Sequence, residues 1–599
     1  MEWEPSLISR IDSLYEHNKN HPSVLIWSLG NESRGGKVIY DMSCHLKELD
    51  PTRPIHYESI FHDRTYNDTS DIESQMYTPA AKVAEFINND RSKPFIMCEY
   101  MHSMGNSTGA MHKYTDMTET EPQFQGGFIW DYIDQSITKK DRYGKEFQAY
   151  GGDFDDRPND GEFSGNGIVY APDREPSPKM QAVKYNYQGI RINITDDDKI
   201  EIINKYLFTD TGELRCVVLL EKEGEMINSS ELKTNVAPLK MGVYDIPFEI
   251  PALPGEYVLT VSFRLKDNRI YAPADHEMAF GQKIYGKYVD ENGAGNTRDL
   301  SDANFRVIRG YNNIGVKGDN FEVLFSKRTG ELISYKYGGR QMLKSIPRPN
   351  FWRAPTANDT GNLMQYRYSQ WKIASLYANV RKRGRDEEDP FAYAPVTSYE
   401  EKDDRVIVRC HYNMPTTPES ECFVTYSVFK DGTVETELSY DPVKELADMP
   451  EFGMMFKMDA DFHRVKWYGY GPEETYSDRV RGAKLSVFES EVNNMPGYLV
   501  PQECGNHEGV RYAYVYDDNG HGLRFGADQM SLSVLPYTPH EIENAAHAYE
   551  LPNIHYTVVR PALARMGIAG DDTWGAMTHP EYLLDWSKKM TFRFSFKGC

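Results

Sequence analysis

Short apolar runs separated by helical patterns constrain the first third of this sequence more than any other feature. The runs are Val24–Trp27, Ile55–Tyr57, Phe95–Cys98 and Gly127–Trp130. Runs of three or four residues are too short for helices and are typical of strands that are buried on both faces. Strands of this kind that alternate with helical segments, as they do up to about Val183, predict a parallel α/β sheet or barrel.

From about residue 185 the pattern changes to strands joined by tight turns. The segments Phe423–Phe429 and Thr433–Tyr440 flank Asp431-Gly432, which is a strong hairpin signal. The spacing of such strands favours two β-sandwiches, a small one first and a larger one from about residue 303.

Charge and cysteine content exclude several classes of protein. There are 67 Lys and Arg against 90 Asp and Glu, so the formal net charge is −23. A polyanion repels phosphate backbones and anionic lipid surfaces, so we expect neither nucleic acid nor membrane as a partner.

Cysteine spacing and the N-terminus also exclude classes of protein. No two of the seven cysteines form a CxxC motif, which argues against a disulfide framework or a zinc site. The N-terminus resembles no signal peptide and no apolar stretch reaches ~18 residues, so we expect a cytoplasmic protein.

Two glutamates follow predicted strands closely. Glu32 comes after Val24–Trp27, and Glu99 directly follows Phe95–Cys98. In a parallel barrel, side chains just past the carboxyl ends of the strands meet in one active-site mouth. Two carboxylates there suffice for retaining glycoside hydrolysis, in which one protonates the leaving oxygen and the other attacks the anomeric carbon. Burial and nearby negative charge would raise the pKa of the acid. The structural alternative is a glutamate in the first turn of a helix.

Residues near these glutamates suit a sugar. Asn31 can donate a hydrogen bond to a sugar 2-hydroxyl. Tyr77 and His102 can hold Glu99 ionised or bind ring hydroxyls, and Trp130 offers an apolar face to a pyranose. Taken singly, Tyr77 and Trp130 are better explained as core aromatics.

Longer motifs carry a resemblance to a known family. They span nearly the whole chain: NHPSVLIWSLGNES (Asn20–Ser33), CEYMHSMGNSTG (Cys98–Gly109), QGGFIWDYIDQS (Gln125–Ser136), YGGDFDDRPNDGEFSGNGIVY (Tyr150–Tyr170), FWRAPTANDTG (Phe351–Gly361), WYGYGPEETYSDR (Trp467–Arg479) and MGIAGDDTW (Met566–Trp574). In these motifs and their order, the sequence resembles the C-terminal part of glycoside hydrolase family 2 β-galactosidases of the large bacterial lac type.

The resemblance implies a multidomain α/β plus all-β protein. Residues 1–184 would form the C-terminal part of an incomplete (β/α)8 TIM barrel, the catalytic domain. Residues 185–302 would form an immunoglobulin-like β-sandwich, and residues 303–599 a large C-terminal β-sandwich. The implied activity is that of a retaining β-D-galactosidase, which hydrolyses terminal non-reducing β-galactosides such as lactose and transfers galactose to sugar acceptors.

Site roles follow from the same resemblance. Glu32 matches the acid/base and Glu99 the nucleophile. The residues that match substrate-binding positions are Asn31, Tyr77, His102, Trp130, Asn166 and Trp574. Within this set, Tyr77 assists release of the galactosyl intermediate, Trp130 floors the galactose site and Trp574 is the platform for the aglycone. For Trp574 the alternative is a core tryptophan, although Gly570-Asp571-Asp572 before it favours an exposed loop.

Two metal ions are also implied. The Phe163 carbonyl and the Asn166 side chain match sodium ligands, Glu32 matches a magnesium ligand, and Asn159, next to Asp160, matches a loop at a second magnesium site. The family's remaining ligands have no counterpart in this sequence, so we expect both sites to be incomplete.

The resemblance begins part-way along the family's barrel, so we expect about five of its eight strands. Three explanations fit: a fragment, one half of a split enzyme with a complementing N-terminal partner, or a degenerate protein that only binds sugar. Two functional classes stay open: a β-galactosidase, for which a homo-oligomer is also open, and a non-catalytic carbohydrate-binding or assembly module. A family 2 glucuronidase is the alternative within the enzymes. It would need a basic clamp for a carboxylate, and none lies near the motifs.

Overall fold

A computed structural model describes residues 2–290, 304–327, 329–379, 381–383, 393–395, 397–585 and 587–599. The chain divides into two compact units. The first comprises Met1–Pro176 and Ala569–Met577, and the second Ser177–Ile568 and Thr578–Cys599. Within the described residues, no helix is both long and apolar enough to cross a membrane.

The first unit alternates helices with short parallel strands. Its elements are α1 (Glu4–Asn18), β1 (Trp27–Ser28), α2 (Lys37–Leu49), β2 (Ile55–His56), β3 (Glu73–Met76), α3 (Ala80–Asn89), β4 (Phe95–Tyr100), α4 (His112–Thr120), β5 (Phe124–Ile129), β6 (Ile137–Lys140) and β7 (Glu146–Ala149). β1 pairs with β2 in parallel, and β3, β4 and β5 form a parallel sheet in that order. We call β1–β5 with α1–α4 the half-barrel; its strand number agrees with the predicted five.

Helix α2 shows why the half-barrel folds as it does. Its apolar residues Met42 and Leu46 recur at helical spacing and pack against Trp27 and Ile55, which lie on β1 and β2. The helix ends at Leu49, and the next residue, Asp50, is extended because Pro51 disfavours helical backbone in the residue before it. The Asp50 carboxylate accepts a 2.9 Å hydrogen bond from the indole N–H of Trp27, so the helix end also fixes β1.

One strand prediction is wrong in its bounds. The sequence favours a buried strand over Val24–Trp27, whereas β1 is Trp27–Ser28 and the Leu25 side chain is 71% exposed. Among the described residues no strand pairs with residues 24–26, so these residues lack the ladder of hydrogen bonds that defines a strand.

The second unit begins with helix α5 (Lys179–Asn186) and a small β-sandwich. Its strands are β8 (Ile190–Ile194), β9 (Lys199–Asn204), β10 (Leu214–Lys222), β11 (Glu225–Leu232), β12 (Met241–Asp245), β13 (Glu256–Leu265) and β14 (Glu277–Gly286). They form two antiparallel sheets, ordered β12-β9-β8 and β11-β10-β13-β14. Apolar side chains from both sheets, such as Ile202 and Val261, share one core.

A larger set of antiparallel strands completes the second unit. The strands are β15 (Arg306–Arg309), β16 (Asn313–Lys317), β17 (Phe321–Ser326), β18 (Leu332–Tyr337), β19 (Arg340–Gln341), β20 (Arg348–Asn350), β21 (Arg381–Arg383), β22 (Tyr393–Pro395), β23 (Thr397–Glu401), β24 (Arg405–Met414), β25 (Ser420–Phe429), β26 (Val434–Tyr440), β27 (Glu451–Asp459), β28 (Arg464–Gly471), β29 (Lys484–Glu491), β30 (Asn506–Tyr516), β31 (Gly522–Leu535), β32 (Tyr556–Arg565) and β33 (Met590–Gly598). The helices are α6 (Ala357–Gly361), α7 (Met364–Tyr377) and α8 (Pro539–Glu543). β15–β19 form a five-stranded sheet, and most later strands form a twelve-stranded one.

The hairpin predicted around Asp431-Gly432 is confirmed, since β25 and β26 pair with Val428 opposite Val434. The boundaries predicted at 184/185 and 302/303 stay predictions. Residues 569–577 lie within the predicted range of the large sandwich (303–599). In the structure they belong to the first unit.

The second unit encloses a network of buried charges. The Glu451 carboxylate accepts hydrogen bonds from Arg560 (2.8 Å) and Arg565 (2.7 Å), and Glu503 also pairs with Arg560 at 2.8 Å. The side chains of all four residues are 1% exposed or less. Removing one partner from such a network leaves an uncompensated charge in the interior.

We therefore predict that Glu451→Gln lowers the stability of the second unit by roughly 3–5 kcal/mol. The measurement is the thermal transition of this unit by calorimetry. The control is Glu437→Gln, which breaks an exposed pair with Arg593 and should cost at most about 1 kcal/mol. Equal effects of the two changes would contradict the prediction.

Candidate active site

Four consecutive strands of the half-barrel bring polar side chains to one edge. Glu32 follows β1, Glu58 follows β2, Tyr77 follows β3, and Glu99 lies near the end of β4. The carboxyl ends of neighbouring parallel strands share one edge, which explains how residues far apart in sequence meet here. The acidic members of the group influence one another, because the charges of Glu32 and Glu58 both act on Glu99.

Glu99 is held by Tyr77. The Tyr77 hydroxyl donates a 2.7 Å hydrogen bond to Glu99 Oε2, and the Tyr77 backbone N–H donates one of 2.9 Å to the Glu99 carbonyl. Burial raises the pKa of the Glu99 carboxyl, and the charges of Glu32 and Glu58 add to the rise. Hydrogen bonds from Tyr77 and Asn31 act in the opposite direction, since they stabilise the ionised form. Burial, followed by the bond to Glu99, also raises the pKa of Tyr77, which therefore stays a proton donor.

Glu32 has a different environment. Its side chain is exposed, so the expected burial of the acid is not found in the described residues. Its backbone has a φ of +53°, in the left-handed region that non-glycine residues rarely adopt. Its N–H donates a 2.8 Å hydrogen bond to Glu58 Oε2.

Aromatic rings line the site beside Glu99. The ring of Tyr77 meets that of Trp574 edge-on at 4.7 Å, and His102 lies 5.1 Å from Trp574 and 5.2 Å from Phe163. His102 is buried, and its Nδ1 lies 2.5 Å from the Thr573 hydroxyl. Trp574 is 41% exposed, so part of its ring remains free to contact a ligand.

Trp130 and Asn166 lie at the carboxyl end of β5. Trp130 is 38% exposed, and its carbonyl accepts a 2.8 Å hydrogen bond from the N–H of Ser103. The Trp130–Asp131 peptide is cis, and the N–H of Asp131 donates to the Asn166 carbonyl at 2.7 Å. Trp130, whose indole is partly exposed, is therefore adjacent in the chain to Asp131, which is hydrogen-bonded to Asn166.

The chemistry of Asn166 and Phe163 fits part of a sodium shell. Asn166 Nδ2 donates a 3.1 Å hydrogen bond to the Phe163 carbonyl. Asn166 Oδ1 is buried and accepts no hydrogen bond from the described residues. A buried amide oxygen without a donor is a ligand that suits a hard cation.

The predicted magnesium positions have less support. The Asn159 amide is used within its own loop, where Nδ2 donates to the Asp156 carbonyl and Oδ1 accepts from the N–H of Gly161, both at 3.0 Å. In the described part of the chain, no three His, Cys, Asp or Glu residues form a group that could hold a metal ion.

Glu58 was not predicted as a site residue from the sequence. It directly follows the predicted strand Ile55–Tyr57, just as Glu99 follows Phe95–Cys98, and this repeated signal of a strand followed by a glutamate could have identified it.

Three family models match different parts of the chain. The family model described as "Glycosyl hydrolases family 2, TIM barrel domain" matches residues 1–192. Models described as "Beta-galactosidase, domain 4" and "Beta galactosidase small chain" match residues 200–284 and 317–596. The chain is homologous to bacterial β-galactosidases. It is 43% identical to that of Halalkalibacterium halodurans, 39% to that of Priestia megaterium and 37% to that of Streptococcus thermophilus.

These alignments cover 99%, 100% and 99% of this chain, but 57%, 56% and 58% of the β-galactosidases. The chain thus spans little more than half the length of these relatives. Among solved structures, a putative aldose 1-epimerase from Escherichia coli aligns with 50% of this chain over 99% of its own length, at 11% sequence identity. The TM-score of this alignment is 0.25, which is too low to carry a conclusion.

The position of Trp574 depends on how the segment Ala569–Met577 is attached to the half-barrel. The buried Tyr114 hydroxyl donates a 2.9 Å hydrogen bond to Asp571 Oδ1 and lies 3.0 Å from the Thr78 carbonyl. We predict that Tyr114→Phe loosens this attachment by about 1.5–3 kcal/mol, the usual contribution of a hydrogen bond to a charged group.

The measurement is hydrogen–deuterium exchange of peptides that cover residues 569–577, which should exchange faster in the variant. Tyr143→Phe, at a side chain that is 84% exposed, is the control. Unchanged exchange in Tyr114→Phe would show that other contacts hold the segment.

Proposed function

We propose that this chain carries the catalytic glutamates of a retaining β-D-galactosidase that hydrolyses terminal non-reducing β-galactosides such as lactose. The observation that carries the proposal is the pairing of Glu99 with Tyr77 at the end of β4, close enough to Glu32 for the two carboxylates to interact. The homology to bacterial β-galactosidases supports galactose as the sugar.

In the proposed mechanism, Glu99 attacks the anomeric carbon while Glu32 protonates the glycosidic oxygen, so that the bond to the aglycone breaks and a galactosyl-enzyme ester forms. Glu32, now ionised, removes a proton from water or from an acceptor sugar, which attacks the same carbon and releases Glu99. The hydrogen bond from Tyr77 opposes the rise in the pKa of the nucleophile that burial causes, and it can stabilise the carboxylate again as the ester breaks.

The aromatic side chains are proposed to bind the two sugars. The exposed face of Trp130 suits the apolar face of galactose, and His102 and Asn31 are proposed to bind its hydroxyls. Trp574, which is partly exposed and packs on Tyr77, is proposed as the platform for the aglycone.

We also propose two metal ions. The Phe163 carbonyl and Asn166 Oδ1 would hold sodium, which supplies a fixed positive charge that can bind a sugar hydroxyl. Magnesium would bind at Glu32, with ligands other than the described residues. Asn159 as a second magnesium position requires its loop hydrogen bonds to rearrange.

Activity is proposed to require further barrel strands. The half-barrel has five parallel strands, whereas a closed (β/α)8 barrel has eight. The missing strands would come from the rest of a longer chain of the large lac type, from a complementing partner chain, or from a second copy of this chain. The alternative function is that of an inactive, carbohydrate-binding half.

The first test is hydrolysis of a nitrophenyl β-galactoside in the presence of sodium and magnesium. We predict that Glu99→Gln lowers kcat by more than about 1000-fold, because an amide cannot form the ester. Glu85→Gln, at an exposed glutamate of α3, is the control and should keep activity. Substantial turnover in Glu99→Gln would remove Glu99 from this role. If the chain alone is inactive, a separately expressed N-terminal half that restores activity would identify a split enzyme.

A second test uses pH. Tyr77 lowers the pKa of Glu99, so Tyr77→Phe should raise it. Glu99 then becomes protonated at a higher pH as the solution is acidified. We therefore predict that the acidic limb of kcat/KM moves to higher pH in Tyr77→Phe but not in Tyr143→Phe. An acidic limb that stays in place would mean that the Tyr77–Glu99 bond does not govern this ionisation.

A further inference from the structure

Glu58 is a third carboxylate at the edge where the site lies. It is the second residue past β2 and is 4% exposed. Its neighbours in strand order supply Glu32 and Tyr77, so Glu58 occupies the position from which a barrel strand contributes to its site.

The contacts of Glu58 point towards Glu32. Glu58 Oε2 accepts the 2.8 Å hydrogen bond from the Glu32 N–H and a second bond from the Ser59 hydroxyl. Among the described residues, this N–H bond is the one hydrogen bond that Glu32 makes. Glu32 combines a strained left-handed backbone with an exposed side chain, so its carboxylate is held only through its backbone.

A purely structural role explains Glu58 poorly. A buried carboxylate normally pairs with a cation, as Glu73 does with Arg64 through two hydrogen bonds of 2.7 and 2.8 Å. No lysine or arginine of the described residues lies within ion-pair distance of Glu58. Instead, Glu58 Oε2 accepts a hydrogen bond from the backbone N–H of Glu32.

We infer that Glu58 is a positioning residue that holds the backbone of Glu32, and thereby aims the Glu32 carboxyl at the glycosidic oxygen. This inference rests on the proposed function, in which Glu32 is the acid/base. Glu58 holds Glu32 by accepting a hydrogen bond. Glutamine, a neutral acceptor of the same shape, should therefore be able to take the place of Glu58.

The leaving group provides a specific readout. A dinitrophenolate leaves readily without protonation, whereas the glucose of lactose needs a proton from the acid. Because kcat/KM reports the steps up to cleavage of the glycosidic bond, a misplaced Glu32 should slow lactose cleavage and largely spare the dinitrophenyl galactoside. A general loss of folding would lower both values equally.

The experiment compares Glu58→Ala with Glu58→Gln and with Glu73→Gln, a change at a buried glutamate at the other end of β3. It uses the protein in its active form, with any complementing chain present. We predict that Glu58→Ala lowers kcat/KM for lactose by about 100-fold, as small misplacements of catalytic groups do, and for the dinitrophenyl galactoside by less than about tenfold. Glu58→Gln should stay close to the wild type, and Glu73→Gln should change both substrates alike. Equal losses on the two substrates, or a Gln variant as impaired as Ala, would overturn the inference.

A second measurement needs no activity. Hydrogen–deuterium exchange, resolved to the Glu32 amide by fragmentation, should become faster in Glu58→Ala and remain slow in Glu58→Gln. Unchanged exchange in Glu58→Ala overturns the inference. If the wild-type protein shows no β-galactosidase activity, the proposed function fails while this measurement still decides whether Glu58 holds Glu32.

Discussion

Parallel pairing of short strands is the constraint on which the site depends. β1 and β2 have only two residues each, yet their pairing places the chain that follows them at one edge. The same holds for β3 and β4, where the register brings Met76 opposite Glu99. The Tyr77–Glu99 hydrogen bond is a direct consequence, since Tyr77 is the first residue past β3. Strand register therefore determines which residues meet at the site.

The sequence predicted this part of the molecule well, for a physical reason. A buried strand flanked by helices must be apolar on both faces, so a polar residue directly after it stands out. That contrast identified Glu32 and Glu99. The same contrast holds for Glu58, which directly follows the predicted strand Ile55–Tyr57 but was not predicted as a site residue. In this strand His56 is polar and forms side-chain hydrogen bonds with Ser28 and Ser74, which makes the contrast weaker.

Long-range contacts could not be predicted from periodicity. The segment Ala569–Met577 belongs to the first unit because Thr573 lies beside His102 and Asp571 accepts from Tyr114, across separations of 471 and 457 residues. Neither helical nor strand spacing records such a contact. The resemblance of the motif around Trp574 to the family implied a role at the site, whereas its position against Tyr77 came only from the structure.

The site gathers negative charge. Glu32, Glu58 and Glu99 interact, and none of them has a lysine or arginine within ion-pair distance among the described residues. Such a group is unfavourable in the resting protein: burial raises the pKa of Glu99, and the charges of Glu32 and Glu58 add to this rise. In the proposed reaction, glycoside cleavage passes through a transition state with oxocarbenium character, so positive charge would develop on the sugar next to these carboxylates. Their interaction with the sugar would then be stronger in the transition state than with neutral substrate, which is the condition for an electrostatic contribution to rate. The same negative charges that oppose ionisation of Glu99 in the free protein would thus favour the proposed reaction.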